Sequence, residues 1–171
     1  MRFGPIIGAA QLAIGRGEGI ERFGNTPQAF MASLAPLVAF PLVGALLLAV
    51  SGSAMAALST LLLTLVAQLA PAVLSHVVAV RWGREAAWLR YATAFNWCQW
   101  AIPVVAFGLL MGLQIATGAG LSDAAAANLL VLALGLYGLF LHWVLARHGL
   151  ALSRARAVLM VVLVNAGPWR S

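Results

Sequence analysis

Hydrophobic residues form long runs along this chain, and short polar or glycine-containing gaps separate them. Four of the runs exceed the roughly 20 apolar residues that a membrane-spanning helix needs, and a shorter fifth run follows. The pattern predicts an all-α, polytopic integral membrane helical bundle of five transmembrane helices, or four if the last run does not span. We expect one transmembrane domain over 26–169, with spans at about 27–50, 54–80, 91–114, 123–146 and 153–169.

Local signals at the ends of these runs support the predicted helices. Thr26 is a good N-cap and Pro27 suits the first helical position, while Ser122 is an N-cap candidate for the fourth span. Gly149 is a C-cap candidate for that span. The residues 51–53 read Ser-Gly-Ser, which predicts a tight turn and an antiparallel hairpin of the first two spans.

The first 25 residues are less hydrophobic and are predicted to form a cytoplasmic or interfacial segment. Either an amphipathic helix on the membrane surface or a loosely ordered lead-in fits the sequence. The glycines in 15–19 would end any such helix. The residues that would share its apolar face are Ile6, Ile7, Ala10 and Ile14.

The arginines alternate between the gaps, and this alternation predicts the orientation. All ten basic residues are arginine, and the gaps after the first and third spans contain none. Because positively charged loops stay in the cytoplasm, the N-terminus is predicted inside and the C-terminus outside. We expect contacts with anionic lipid head groups at the cytoplasmic surface. The arginines concerned are Arg81, Arg84, Arg90, Arg147, Arg154 and Arg156.

Composition narrows the class of protein. The chain is 63% hydrophobic and 8% charged, with a mean hydropathy of +0.99, whereas soluble surfaces need roughly a quarter charged residues. The net charge of +6 does not indicate nucleic-acid binding, since the arginines are dispersed among the spans. Arginine without lysine, together with abundant alanine and glycine, is typical of a GC-rich genome and predicts a bacterial inner membrane.

Polar side chains within the predicted spans mark either helix contacts or a binding site, because each needs a partner in hydrocarbon. His76 and His142 lie at matched depth on different spans and could bind a b-type haem or a quinone head group. The alternative is a hydrogen-bonded layer between helices without any cofactor. The other members of that predicted layer are Gln68, Ser75, Asn96 and Gln99.

Catalytic and transport signatures are missing from the sequence. No nucleophile–base pair, phosphate-binding loop or metal-spaced cluster is present, so we predict no enzymatic activity. Proton-coupled transporters usually place a carboxylate within the membrane. The four acids here fall in gaps or at helix ends: Glu18, Glu21, Glu85 and Asp123.

Gly108 and Gly112 form a G-x-x-x-G pattern in the third span. Such a pattern lets two membrane helices approach closely, and it offers a site for self-association or for contact with other membrane proteins.

Three segments resemble the bacterial Yip family, five-span proteins related to Ypt/Rab-interacting membrane proteins. They are 145–153 (LARHGLALS), 154–159 (RARAVL) and 95–97 (FNW). The similarity covers about 26–166 and implies a five-span fold and a role in membrane organisation. The Asp-Leu-Tyr-Gly-Pro signature of the eukaryotic branch is absent, so the resemblance implies neither Rab binding nor any functional residue.

The sequence therefore predicts a non-enzymatic inner-membrane protein that acts through helix–helix contacts, as a Yip-like organiser or scaffold. One alternative is an accessory subunit of a larger respiratory or photosynthetic complex. Another is a subunit that binds haem or a quinone through His76 and His142.

Overall fold

The computed structural model describes residues 3–166, apart from the side chains of Pro36, Phe40 and Ala166. These residues form seven α-helices and one short 3-10 helix, with no strand among them. The α-helices are α1 (Gly4–Ala13), α2 (Pro27–Val50), α3 (Ala54–Arg81), α4 (Glu85–Cys98), α5 (Ala101–Gly118), α6 (Asp123–Gly149) and α7 (Arg154–Ala166), and the 3-10 helix is Gly17–Arg22.

Four helical segments are long and apolar enough to cross a membrane: α2, α3, α6 and the pair α4–α5. The helix α7 has 13 described residues, or about 20 Å at 1.5 Å per residue. That length is shorter than the hydrocarbon core of about 30 Å. The rest of the predicted fifth run, 167–169, lies outside the described residues.

Both predicted N-caps are confirmed. The side chain of Thr26 accepts a hydrogen bond from the amide of Ala29 at 3.2 Å, and Ser122 accepts one from Ala125 at 3.3 Å. Each bond satisfies an amide that the first helical turn leaves free. The turn between α2 and α3 depends on Gly52, whose φ of 91° lies in the left-handed region that favours glycine.

The predicted third span, 91–114, lies within one longer helical segment, Glu85–Gly118. Helix starts six residues earlier, at Glu85, and breaks between Cys98 and Ala101. Pro103 explains the break, because it has no amide hydrogen for the carbonyl of Gln99 and its ring would clash with that carbonyl. Hydrogen bonds of the 3-10 type bridge this junction. One of them runs from the amide of Ile102 to the carbonyl of Gln99, at 3.3 Å.

Gly149 does not cap α6 as predicted. It is the last helical residue and is buried against Tyr91, where an added Cβ would lie 3.0 Å from the Tyr91 Cβ. The left-handed conformation comes two residues later, at Ala151 with φ of 49°. Glycine is therefore needed at 149 for close packing with α4, and this tertiary contact is not visible in the local sequence.

The N-terminal segment folds back on itself and onto the bundle. Gly8 of α1 faces Gly19 of the 3-10 helix so closely that an added Cβ would lie 2.8 Å from the Gly19 carbonyl oxygen. Leu12 is fully buried, whereas the predicted apolar face is exposed. The exposed residues of that face are Ile6, Ile7, Ala10 and Ile14.

Contacts of this segment gather the arginine-containing gaps at one end of the bundle. Asn25 donates to the carbonyl of Ala86 at 2.7 Å and accepts from the amide of Arg90 at 2.9 Å. Gly17 lies against the ring of His148, near the end of α6. We call this the arginine end, formed by residues 16–25 and by the turns at 82–84 and 150–153.

Packing is tight near the arginine end and loose elsewhere. The helix α4 lies at the centre and contacts α1, α2, α3 and α6. Most of its residues from Tyr91 to Cys98 are buried, whereas α5 has no buried residue. The hairpin α2–α3 and the pair α5–α6 meet through α4, and α7 packs between α3 and α6.

We predict that Gly8→Ala loosens the N-terminal segment, because the new methyl group has no room between α1 and the 3-10 helix. Overpacking of this kind costs about 1–3 kcal/mol. Trypsin should then cleave at Arg16 and Arg22 faster than in the unmodified protein. Gly44→Ala is the control, since no described atom lies within 4 Å of its added Cβ. Equal cleavage in both variants would contradict the prediction.

Candidate functional site

His142 is the centre of a hydrogen-bonded chain that joins α7, α6 and α4. The amide nitrogen of Asn165 lies 2.7 Å from the carbonyl oxygen of Val161, which can only accept, so the orientation of the carboxamide is fixed. The same nitrogen lies 3.0 Å from Nδ1 of His142. Since an amide nitrogen only donates, Nδ1 must accept. The ring hydrogen of neutral His142 is then on Nε2, which donates to the Tyr91 hydroxyl at 2.8 Å.

A separate buried hydrogen bond joins α4 to α3. Ser75 is fully buried, accepts from the indole nitrogen of Trp88 at 3.1 Å and donates to the carbonyl of Ala72 at 2.9 Å. Polar side chains of α3, α4, α6 and α7 thus satisfy one another in an interior where an unpaired polar group is costly.

A second buried pair ties α4 to α2. The side-chain nitrogen of Asn96 donates to the Ser33 hydroxyl at 2.9 Å, and Ser33 donates to the carbonyl of Phe30 at 2.6 Å. Both side chains are buried. This pair and the His142 chain therefore attach α4 to its neighbours on two sides.

A cleft of about 540 Å³ lies beside His142, between α3 on one side and α5, α6 and α7 on the other. We call it the polar cleft, because uncharged polar side chains from four helices converge there. These are Thr64, Gln68, Cys98, Gln99, His142 and Asn165, and the apolar lining is Leu63, Ala67, Pro71, Phe95, Ile102, Gly138, Leu141 and Leu145.

Two of the predicted layer residues line this cleft and two do not. Gln68 and Gln99 line it, whereas Ser75 and Asn96 are engaged in the buried pairs described above. The carboxamide oxygen of Gln68 is buried and has no hydrogen-bond partner among residues 3–166. A buried acceptor without a donor is uncommon and needs an explanation.

The two histidines are not brought into one site. His76 packs edge-on against Trp88, with the ring centroids 4.6 Å apart, and it is not among the residues lining the polar cleft. Both ring nitrogens of His142 are occupied by Asn165 and Tyr91. Iron ligation by His142 would therefore require one of these bonds to break.

A second groove, of about 630 Å³, separates α1 from α4, α5 and α6. It is lined mainly by alanine and branched aliphatic residues, with Trp97, Trp100 and Tyr137 at its sides. The Tyr137 hydroxyl donates to the carbonyl of Ala13 at 3.2 Å and so helps to hold α1 in place. With few polar groups, this groove offers less specificity than the polar cleft.

Sequence reasoning missed Tyr91, Trp88 and Asn165 as partners of the predicted polar residues. The sequence does single out Asn165, because it is the one side-chain amide next to the apolar run 157–164. Tyr91 is less distinctive, because a tyrosine near the start of a span is equally typical of the membrane interface. Neither position reveals its partner before the helices are assembled.

No group of three or more metal-ligating side chains lies together in the part of the chain that the structure describes. In comparisons with known proteins, no family model, curated protein or solved structure matches this chain. These comparisons do not bear on the resemblance to the Yip family, which stays a prediction.

Replacing the Tyr91 hydroxyl should destabilise the bundle, because Tyr91→Phe leaves the His142 Nε2 hydrogen buried without an acceptor. We expect a loss of about 1–2 kcal/mol in the free energy of unfolding, measured by denaturant titration in detergent micelles. Tyr137→Phe is the matched control, and it should cost less because its bond is longer and partly exposed. A larger loss of unfolding free energy in Tyr137→Phe would refute the importance assigned to the hydrogen bonds of His142.

Proposed function

We propose that this protein is a non-enzymatic, multi-span membrane protein that acts through helix–helix contacts with copies of itself or with other membrane proteins. The unoccupied face of α5 is the observation that supports this proposal. This helix has no buried residue, and the Cβ positions of Gly108 and Gly112 have no described atom within 4 Å. Small residues spaced in this way permit close approach of a second helix.

The proposal includes a cytoplasmic N-terminus in a bacterial inner membrane. Its support is the clustering of arginine-containing segments at the arginine end, while the turns at 51–53 and 119–122 contain none. Since basic loops remain in the cytoplasm, the arginine end faces inward. The cationic side chains there would meet anionic lipid head groups.

We further propose that α7 begins a fifth crossing, with the C-terminus outside. The helix packs against two candidate spans, α3 and α6. Its residues Ala157, Met160 and Val164 are buried in the common core. A helix in that position shares the membrane environment of its neighbours.

Two other roles remain proposals with specific support. An accessory subunit of a respiratory or photosynthetic complex would cover the same α5 face with a different chain. A haem- or quinone-binding subunit would use the neighbourhood of His142, although His142 has both nitrogens engaged and His76 lies elsewhere. Yip-like membrane organisation fits self-association through α5.

Reporter fusions test the topology. Alkaline phosphatase fused after Ser171 should be active, since it folds only outside the cytoplasm, and green fluorescent protein at the same site should be dark. The control is the same pair of reporters in the turn 82–84, which should give the reverse result. A cytoplasmic result after Ser171 would show that α7 does not cross.

Substitution of Gly112 by leucine should weaken association between copies. A Cβ added at Gly112 has open space around it, so the fold should persist while close approach of a second α5 is blocked. We expect about tenfold weaker association, or about 1.4 kcal/mol, by energy transfer between labelled copies in lipid vesicles. Gly44→Leu, equally open on α2, is the control. Equal loss in both variants, or none in Gly112→Leu, would refute the α5 contact.

A further inference from the structure

The chemistry of the polar cleft defines the class of molecule that it could hold. None of the described residues that line it is an arginine, aspartate or glutamate. A charged head group would be costly there, because no opposite charge is available in a low-dielectric setting. The lining therefore selects against phosphate and ammonium groups and in favour of an uncharged polar group.

The volume and the position of the cleft indicate a ligand that comes from the lipid. About 540 Å³ lies within the range of small-molecule sites. At the edge of the cleft, Leu63 is 72% exposed, and Ala67 is also exposed. Both belong to α3, a candidate span, so a molecule reaching the cleft past them would do so from hydrocarbon.

The unsatisfied oxygen of Gln68 indicates what the head group must supply. A carboxamide oxygen can only accept a hydrogen bond, and this one finds no donor in residues 3–166. The terminal torsion of glutamine is broad, so a rotation of the carboxamide can turn this oxygen towards the cleft. A ligand hydroxyl would give the oxygen its missing donor.

His142 and Asn165 form the fixed side of the cleft. Their bonds to Tyr91, to Val161 and to each other occupy the His142 nitrogens and both hydrogens of the Asn165 nitrogen. Gln68 and Gln99, by contrast, line the cleft without a hydrogen bond to His142 or Asn165. The two glutamine side chains are thus the groups that can reorient to form hydrogen bonds with a ligand.

We propose that the polar cleft binds an uncharged amphiphile from the membrane whose head group donates a hydrogen bond, a hydroxyl or phenol, to the Gln68 carboxamide. A diacylglycerol and a reduced quinone share this chemistry. The site is distinct from the α5 face and does not depend on helix–helix association, and a quinol ligand would make the quinone-binding role above more specific.

Native mass spectrometry of the purified full chain with matched lipids tests the head group. Dioleoylglycerol should bind more tightly than its acetyl ester, which lacks the donor, and than dioleoyl phosphatidic acid, which is charged. The second arm compares a short-chain ubiquinol with its quinone. The two arms together show whether the ligand is a diacylglycerol or a reduced quinone. Preferential binding of the free hydroxyl form in either arm supports the proposal. Equal binding of donor and non-donor forms in both arms, or preference for phosphatidic acid, would overturn it.

The variant Gln68→Leu tests the residue. It should weaken binding of the preferred hydroxyl ligand about five- to tenfold, the worth of one neutral hydrogen bond. Without ligand, it should leave the melting temperature unchanged or raise it, because it removes a buried acceptor that lacks a partner. Gln114→Leu on α5, exposed and outside the cleft, should bind like the unmodified protein. Unchanged binding in Gln68→Leu, or a marked loss of stability without ligand, would refute the assignment.

Discussion

The arrangement of the helices depends on the neutral imidazole of His142, which accepts from Asn165 and donates to Tyr91. Three helices cannot rotate independently while these two bonds are kept, because each lost bond would leave a buried polar group without a partner. A separate buried bond from Trp88 to Ser75 also ties α4 to α3. A few polar side chains therefore orient helices whose apolar surfaces alone, being similar all round, would allow many packings.

This constraint acts at one end of the bundle and leaves the rest open. Near the arginine end, α4 is buried among its neighbours and is held by the Asn96–Ser33 pair as well. Beyond the break at Gln99–Trp100, α5 has no buried residue. The polar cleft lies where the two regions meet. This difference in packing leaves room for the proposed ligand in the cleft and for the proposed partner helix on α5.

Much of the fold follows from local sequence, and most of the site does not. The bounds of α2, the caps at Thr26 and Ser122 and the turn at Gly52 agree with expectation because they depend on neighbouring residues. The break before Pro103 was missed because membrane helices often tolerate proline. The polar residues were visible, but their division between buried pairs and the cleft depends on the relative rotation of helices. A single sequence does not give that rotation.

The nitrogen-15 spectrum of His142 tests the central interaction most directly. The chain could be labelled at its three histidines, with His76→Gln and His148→Gln variants used to assign the signals. We predict that His142 is neutral, with hydrogen on Nε2 and an unprotonated, accepting Nδ1. Hydrogen on Nδ1, a protonated ring, or the averaged signal of a freely exchanging imidazole at neutral pH would contradict the hydrogen-bonded chain that joins α4, α6 and α7.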